Sequence, residues 1–124
     1  MEMRFFRCRK CGQMAALLKV SRCPVCCCGE PMEELVAGTT EASREKHIPV
    51  AEITDGKVFV TVGSALHPML EEHYIEWIAL STNLGNQRKA LAPGMEPRAV
   101  FALLPGEEVQ AVYAYCNLHS LWKA

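Results

Sequence analysis

Residues 48–62 read IPVAEITDGKVFVTV, and this stretch decides the fold class. From Ile48 onward the side chains alternate between apolar and polar with a period of two, which is the period of a β-strand. The Asp55-Gly56 pair in the middle is typical of the two-residue turn that joins antiparallel strands, because both of its positions need a positive φ. The stretch therefore predicts a β-hairpin with strands at Ile48–Thr54 and Lys57–Val62.

More strands of the same kind follow along the chain. Residues 73–80 read HYIEWIAL, and four side chains are expected on one face of that strand: His73, Ile75, Trp77 and Ala79. Arg98–Leu104 and Glu108–Tyr115 are two further strands, separated by a Pro105-Gly106 turn. Short strands about ten residues apart, with Gly and Pro between them, favour a β-sandwich or barrel. No long stretch has a convincing helical period.

The overall composition is that of an ordinary globular protein. Of its 124 residues, 50% are hydrophobic and 22% are charged, and 13 basic against 14 acidic side chains give a formal net charge of −1. This balance argues against nucleic acid or an anionic membrane as a partner. No apolar run approaches the roughly 20 residues that span a bilayer. Because residues 1–4 lack the pattern of a signal peptide, we expect a cytoplasmic protein.

The cysteines are concentrated near the N-terminus. Six of the seven lie between Cys8 and Cys28, in a stretch with too few apolar side chains to build a core of its own. In a chain without a signal peptide, such clustering indicates metal binding rather than disulfides. We therefore interpret residues 1–36 as a small module held together by metal, and the small, polar residues 37–46 as a linker to a second domain.

A site of four thiolates is the strongest metal signal in this module. Cys8 and Cys11 form a CxxC pair, and four thiolates can close a tetrahedral site around Zn²⁺ or iron. Spacing alone leaves two pairs competing for the other two positions: Cys23 with Cys26, or Cys27 with Cys28. It also leaves open a zinc ion that only holds the module folded.

A second group of metal-binding residues lies in the rest of the chain: His47, His67, His73, Cys116 and His119. Each stands at a predicted strand end or in a loop, and Cys116 is three residues before His119. Four imidazoles and one thiolate exceed what tetrahedral zinc takes and leave one position vacant on a metal that prefers six ligands. A vacant position on a thiolate-ligated iron favours chemistry with a small ligand such as dioxygen or its reduced forms.

A charged pair, Glu45-Lys46, directly precedes His47. A cation beside an open iron site would attract a small anion and stabilise the charge that develops on it. The alternative that the local sequence leaves open is an ordinary solvated pair of charges in the linker.

Four motifs in order resemble the desulfoferrodoxin family, the two-iron class of superoxide reductase. They are CRKCG at 8–12 with CCGEPM at 27–32, EKHIP at 45–49, HPM at 67–69 with EHYIEWI at 72–78, and CNLHSLWK at 116–123. The resemblance covers nearly the whole chain. It implies an all-β protein, with a small desulforedoxin-like Cys₄ metal domain at 1–36 and an immunoglobulin-like β-sandwich at 38–124.

The resemblance also implies two mononuclear iron sites. The first is Fe(Cys)₄, through Cys8, Cys11, Cys27 and Cys28, with zinc as the alternative metal. The second is Fe(His)₄(Cys), with equatorial His47, His67, His73 and His119 and axial Cys116.

The activity implied by the resemblance is the one-electron reduction of superoxide to hydrogen peroxide. Lys46 would guide superoxide to the ferrous iron, and Glu45 would be able to take the sixth position on the ferric iron. A homodimer and a rubredoxin-like electron donor are implied as well. Two rival functions are superoxide dismutation and non-enzymatic electron transfer. The chain departs from the family at the extra pair Cys23 and Cys26, and at Ser120, where the family has a glycine and we expect little consequence.

Overall fold

The computed structural model describes residues 2–124, and it is almost entirely β-structure. The all-β class predicted from the sequence is confirmed. The chain divides into two compact units, Glu2–Val36 and Ala37–Ala124. Within the described residues, no helix has the length and apolar character needed to cross a membrane.

The Glu2–Val36 unit is built from short antiparallel strands. In chain order they are β1 (Phe5–Arg7), β2 (Met14–Ala16), β3 (Cys26–Cys27), β4 (Glu30–Pro31) and β5 (Glu33–Glu34). Three of them form a sheet in the order β2-β1-β5, and β3 pairs with β4. The buried core of this unit is small and centres on Phe6, Cys8 and Met32. So small a core gives little stability by itself, which is the situation in which a bound metal contributes most.

The Ala37–Ala124 unit contains two antiparallel sheets that enclose one apolar core. Its elements in chain order are α1 (Arg44–His47), β6 (Pro49–Thr54), β7 (Lys57–Val62), β8 (Ile75–Thr82), β9 (Asn86–Ala90), β10 (Arg98–Ala102), β11 (Val109–Cys116) and β12 (Ser120–Lys123). One sheet has the order β10-β7-β6 and the other β12-β11-β8-β9. Both sheets contribute to the same buried cluster, including Val60 and Phe101 from one and Leu80 and Val112 from the other. This arrangement is a β-sandwich.

The predicted hairpin is present as β6 and β7. Asp55 and Gly56 have φ values of 50° and 69°, and Thr54 pairs with Lys57, so the loop is a two-residue turn with both positions left-handed. Burial along β7 alternates as the sequence pattern predicts. Three valines are fully buried in the core: Val58, Val60 and Val62.

The predicted face of the strand around residues 73–80 is wrong. Ile75 lies in the core cluster with Ile78 and Leu80, whereas the Trp77 ring stacks on Tyr115 at a centroid distance of 5.6 Å. The reason is a β-bulge: β11 advances by one residue, from Tyr115 to Cys116, while its partner β8 steps by two, from Trp77 to Ile75. The extra residue reverses the side of the sheet on which the following side chains lie.

The structure differs from the sequence-based expectation in three other places. Strands β9 and β12 were not predicted, so Cys116 lies at the end of the penultimate strand rather than the last one. His73 precedes β8 and pairs with Leu70 in an isolated bridge instead of starting the strand. The polar segment interpreted as a linker leads into one helical turn, α1.

Ser120, which stands where the family has a glycine, has a left-handed backbone with a φ of 64°. A Cβ in that conformation costs the folded state roughly 1–2 kcal/mol, which glycine would avoid. Glycine also makes the unfolded chain more flexible, and this offsets about 0.4–1 kcal/mol of the stabilisation. Ser120→Gly should therefore raise the free energy of unfolding by about 0.5–1 kcal/mol, measured by denaturant titration.

Ser120→Ala is the matched control for this change. It removes the same hydroxyl but keeps the Cβ, so it should give no such gain. Equal effects of the two substitutions on the free energy of unfolding would show that backbone strain at Ser120 is not the cause.

Candidate metal centres

The first candidate centre is a cluster of four thiols in the smaller unit. The sulfur atoms of four cysteines all lie within 4.8 Å of one another: Cys8, Cys11, Cys27 and Cys28. The Sγ of Cys27 is 3.6 Å from that of Cys11 and 3.9 Å from that of Cys28. Four sulfurs at a metal–sulfur distance of about 2.3 Å in a tetrahedron are about 3.8 Å apart. The spacing of the thiols therefore fits a tetrahedral metal ion.

Two tight turns bring these thiols together. Cys8 follows β1, and the turn after it is closed by the Gly12 amide, which donates to the Cys8 carbonyl at 3.0 Å. Cys27 lies on β3, and Cys28 begins the turn to β4 with a φ of 52°, followed by Gly29 at 79°. In both turns a glycine directly after the second cysteine has a positive φ. Glycine adopts this conformation readily because it has no Cβ.

Backbone amides favour negative charge in this cluster. The Cys11 amide donates to the Cys8 sulfur at 3.5 Å, and this bond is the main reason that the pKa of Cys8 falls to about 6. The pKa of Cys27 is raised, chiefly by its hydrogen bond with the Cys11 thiol and next by that with Cys8. Without a cation, ionisation of Cys8 thus keeps the neighbouring Cys27 thiol protonated, whereas a bound metal would let all four ionise.

Cys23 and Cys26 lie outside this cluster. Both side chains are exposed, and the Cys26 thiol is directed to the Pro24 carbonyl at 3.8 Å. Cys26 and Cys27 are consecutive on β3, so their side chains leave opposite faces of the strand. The structure therefore gathers the adjacent cysteine pair and not the second CxxC pair.

The second candidate centre is a closed ring of four imidazoles in the β-sandwich. Centroids of neighbouring rings lie 4.6 Å apart for His47 and His67, 4.7 Å for His67 and His73, 5.1 Å for His73 and His119, and 4.9 Å for His119 and His47. The diagonal from His47 to His73 is 6.3 Å. Neighbouring rings are nearly perpendicular, between 79° and 85°. Four donors at the corners of a square are the arrangement of an equatorial ligand set.

The nitrogen atoms that face inward have the spacing of metal ligands. The Nε2 of His47 is 3.2 Å from the Nε2 of His67 and 3.1 Å from the Nδ1 of His119. Adjacent ligands at about 2.1 Å from a metal and at right angles are about 3.0 Å apart. The sulfur of Cys116 lies 3.8 Å from the same His119 nitrogen and is fully buried.

Backbone carbonyls fix which nitrogen of two histidines is free to bind. The Nδ1 of His47 donates to the Ser43 carbonyl and that of His67 to the Pro68 carbonyl, each at 2.7 Å. Both Nε2 atoms then carry lone pairs, although they face each other. The buried Nε2 of His73 has no hydrogen-bond partner among the described residues. A cation at the centre of the ring would satisfy all these nitrogens, so the residues fit a metal.

Burial favours the neutral, metal-binding form of three of the histidines. Desolvation is the main cause that lowers the pKa of His47 and His73, and it lowers that of His67 to about 4. Burial also raises the pKa of Cys116, although the amides of His119 and Leu118 partly oppose it. A metal bound here would displace the thiol proton and would meet three imidazoles, those of His47, His67 and His73, whose pKa is held below its usual value.

The five donors come from strand ends and turns. His47 ends α1, His67 follows β7, and His73 precedes β8. Cys116 ends β11, and His119 lies in the turn that follows it. Each donor thus lies on backbone that a neighbouring strand holds in place.

Two supporting residues were not singled out from the sequence. The Trp122 ring packs 4.8 Å from the ring of His47, and its Nε1 donates to the His119 carbonyl at 3.0 Å. Asn117 accepts the Tyr74 amide at 2.9 Å, and its Nδ2 donates to the Glu72 carbonyl at 3.1 Å. Both lie in the C-terminal motif that carries the family resemblance, but spacing alone does not reveal such contacts.

Glu45 and Lys46 lie on α1 with exposed side chains. The charge of Lys46 is felt at the cluster, since it is among the smaller causes, after burial, that lower the pKa of His47 and His73. A lysine that forms no ion pair among the described residues therefore lies within electrostatic range of the four imidazoles.

Comparisons with known proteins agree with this architecture. The family model described as Desulfoferrodoxin matches residues 39–124. A desulfoferrodoxin homolog from Archaeoglobus fulgidus is 43% identical over 122 residues, which cover 98% of this chain and 96% of that protein. The crystal structure of the superoxide reductase from Treponema pallidum has a TM-score of 0.85 and 37% identity, covering 100% of this chain and 99% of that one. The superoxide reductase (1Fe-SOR) from Giardia intestinalis has a TM-score of 0.54 and 32% identity, covering 65% of this chain and 96% of that chain.

The fold and its donor clusters define a β-sandwich metalloprotein with an additional four-cysteine unit. Within that class, the match of the family model to more than half of the chain is decisive. The chain belongs to the desulfoferrodoxin family.

The two competing cysteine pairs can be told apart by neighbouring substitutions. Cys27→Ser should abolish retention of metal by the smaller unit in the presence of a chelator, because it removes one of four clustered thiols. Cys26→Ser, one residue earlier on the same strand, should leave retention unchanged. Metal content per chain after chelation measures both, and metal loss caused by Cys26→Ser would overturn the choice of ligands.

Proposed function

We propose that this protein is a superoxide reductase, which converts superoxide to hydrogen peroxide. The observation that carries the proposal is the square of four imidazoles with the buried Cys116 sulfur beside it. Five donors of this kind leave one position vacant on a metal that prefers six. The structural similarity to superoxide reductases at 37% identity over the full chain supports the same reaction.

Iron held by these five side chains would supply the single electron that the reaction needs. Superoxide takes up that electron and two protons to become hydrogen peroxide. The Cys116 thiolate, enclosed in the core, would donate electron density to the metal from a site that water does not reach. Since the Nδ1 protons of His47 and His67 are held by backbone carbonyls, we assign the two protons to water.

Lys46 is proposed to attract the substrate anion. Its side chain is exposed, and its ammonium, with a normal pKa near 10.4, is positive at neutral pH. A cation near the vacant metal position raises the local concentration of a small anion and stabilises the negative charge that develops on it.

Glu45 is proposed to occupy the vacant position when the iron is ferric. Its carboxylate is exposed and lies next to Lys46 on the same helical turn. A dismutase must also oxidise superoxide with its ferric form, and a carboxylate together with a thiolate stabilises that form against reduction. The donor set therefore favours a reductase over a dismutase.

The roles of the two units follow from this proposal. We assign residues 1–36 as an Fe(Cys)₄ domain, with zinc as the alternative metal, and residues 38–124 as the superoxide reductase domain. A rubredoxin-like protein is the proposed electron donor, and the working form is proposed to be a cytoplasmic homodimer. The two domain assignments are supported by the division of the chain into two compact units and by the cluster of four thiols in the first of them.

The proposed activity is tested by steady-state turnover with superoxide and a reductant. The iron-loaded protein should consume the reductant and release hydrogen peroxide without evolving oxygen. Cys116→Ser should abolish both turnover and any charge-transfer absorption of the oxidised protein, because the sulfur ligand is lost. Oxygen evolution would favour a dismutase, and no consumption of superoxide would favour an electron-transfer protein.

The role of Lys46 predicts a salt-dependent defect. Lys46→Ala should slow the second-order reaction with superoxide by about ten-fold at low ionic strength. The defect should shrink near 1 M salt, where the screening length falls to about 3 Å. Pulse radiolysis of the reduced protein measures the rate.

The matched control for Lys46 is Lys57→Ala. Lys57 is exposed and lies beside the hairpin turn, at the end of β7 away from His67. Its removal changes the net charge equally but should leave the rate unchanged. Equal defects in the two variants would mean that net charge, rather than a local cation, attracts superoxide.

A further inference from the structure

The backbone of Glu45 is held by a turn that follows β7. Its carbonyl accepts two hydrogen bonds, from the Ala65 amide at 3.0 Å and from the Ser64 hydroxyl at 3.3 Å. An isolated helical turn as short as α1 is unstable in water, because nucleation of a helix is unfavourable. These external bonds therefore fix the short segment that carries Glu45 and Lys46.

Gly63 lets the two segments come this close. A Cβ at this position would lie 2.4 Å from the Glu45 oxygen, 2.9 Å from the Lys46 carbonyl carbon and 3.0 Å from the Ile48 oxygen. All three atoms belong to the backbone, so rotation of a side chain cannot relieve the contact. At none of the other described glycines would a Cβ approach another atom more closely than 3.5 Å. Gly63 is thus required for space.

The same turn also supports the histidine cluster. The His67 amide donates to the Val62 carbonyl at 2.9 Å, and the Nε2 of His67 lies 3.2 Å from that of His47. This one turn therefore fixes His67, which is a candidate ligand, and the Glu45 backbone, which precedes the candidate ligand His47. A change in the turn would move Lys46 relative to the cluster of four imidazoles.

We propose that Gly63 and Ser64 are positioning residues, which hold the Glu45–Lys46 backbone where the ammonium of Lys46 meets superoxide. This inference rests on the function proposed above for Lys46. Neither residue touches substrate in this role: Gly63 acts by its lack of a side chain, and Ser64 acts through the Glu45 carbonyl.

The first test is the rate of superoxide capture by the iron-loaded variants. Misplacement by about 1 Å can cost a large part of what a group contributes, so Gly63→Ala should lower the rate several-fold, up to the roughly ten-fold loss expected for removing the Lys46 charge itself. Ser64→Ala should lower it about two- to five-fold, as expected for loss of one hydrogen bond. Ser64→Thr, which keeps a hydroxyl, should have the wild-type rate of superoxide capture. All three variants should retain iron at the histidine cluster.

The matched control is Ser21→Ala in the other unit. Ser21 is also exposed, and its hydroxyl also bonds to a backbone group, the Cys23 amide at 3.2 Å. Removing it should leave the capture rate unchanged. A capture rate that Gly63→Ala leaves at the wild-type value would overturn the proposal.

Amide hydrogen exchange provides a readout that is independent of activity. In Gly63→Ala, exchange should accelerate at the amides of Ala65 and Ile48 but not in the core strands β8 and β11. Uniform acceleration, or none at Ala65, would show that Gly63 affects only global stability or nothing, and would refute positioning. If the wild-type protein fails to reduce superoxide, the proposed function falls, while the exchange pattern still decides whether the turn holds Glu45.

Discussion

The larger unit depends on lone pairs that face one another in a buried place. The Nε2 of His47 lies about 3 Å from two other imidazole nitrogens, and carbonyl bonds at Nδ1 prevent His47 and His67 from turning those lone pairs away. Such an arrangement is unfavourable unless a cation lies between the nitrogens, because buried polar atoms need a partner. The β-sandwich therefore holds the four imidazoles together at a cost in folding free energy, and metal binding offsets that cost.

Antiparallel pairing explains how distant parts of the chain meet at this point. Pairing of Pro49 with Val62 places the start of β6 beside the end of β7, so the histidine before one strand meets the histidine after the other. Pairing of Cys116 with Ile75 does the same for β11 and β8 in the second sheet. Because the two sheets share one core, these strand ends lie together. Four of the donors lie within two residues of a strand, and the amide of the fifth, His67, donates to the Val62 carbonyl at the end of β7, which limits their freedom to move.

Local signals made much of this structure predictable, whereas non-local contacts did not. The Asp55-Gly56 turn and its alternating flanks sufficed for the hairpin, and donor chemistry together with the family motifs identified the residues that cluster. The bulge before Trp77 depends on pairing with β11, and β9 is a polar stretch, NQRKA, without a strand pattern. The contacts of Trp122 and Gly63 join segments far apart in the chain, so no spacing rule reveals them.

Formal charge separates the tasks of the two centres. Four thiolates around a divalent metal leave the cysteine centre negative, and this repels a small anion. Four neutral imidazoles and one thiolate leave the histidine centre positive, and Lys46 adds a further positive charge nearby. Burial favours the neutral form of His47 and His67, because it lowers their pKa values. Burial therefore has two effects on the histidine centre. It makes the metal-free cluster of imidazoles unfavourable, and it favours neutral imidazoles that can bind the metal whose positive charge attracts superoxide.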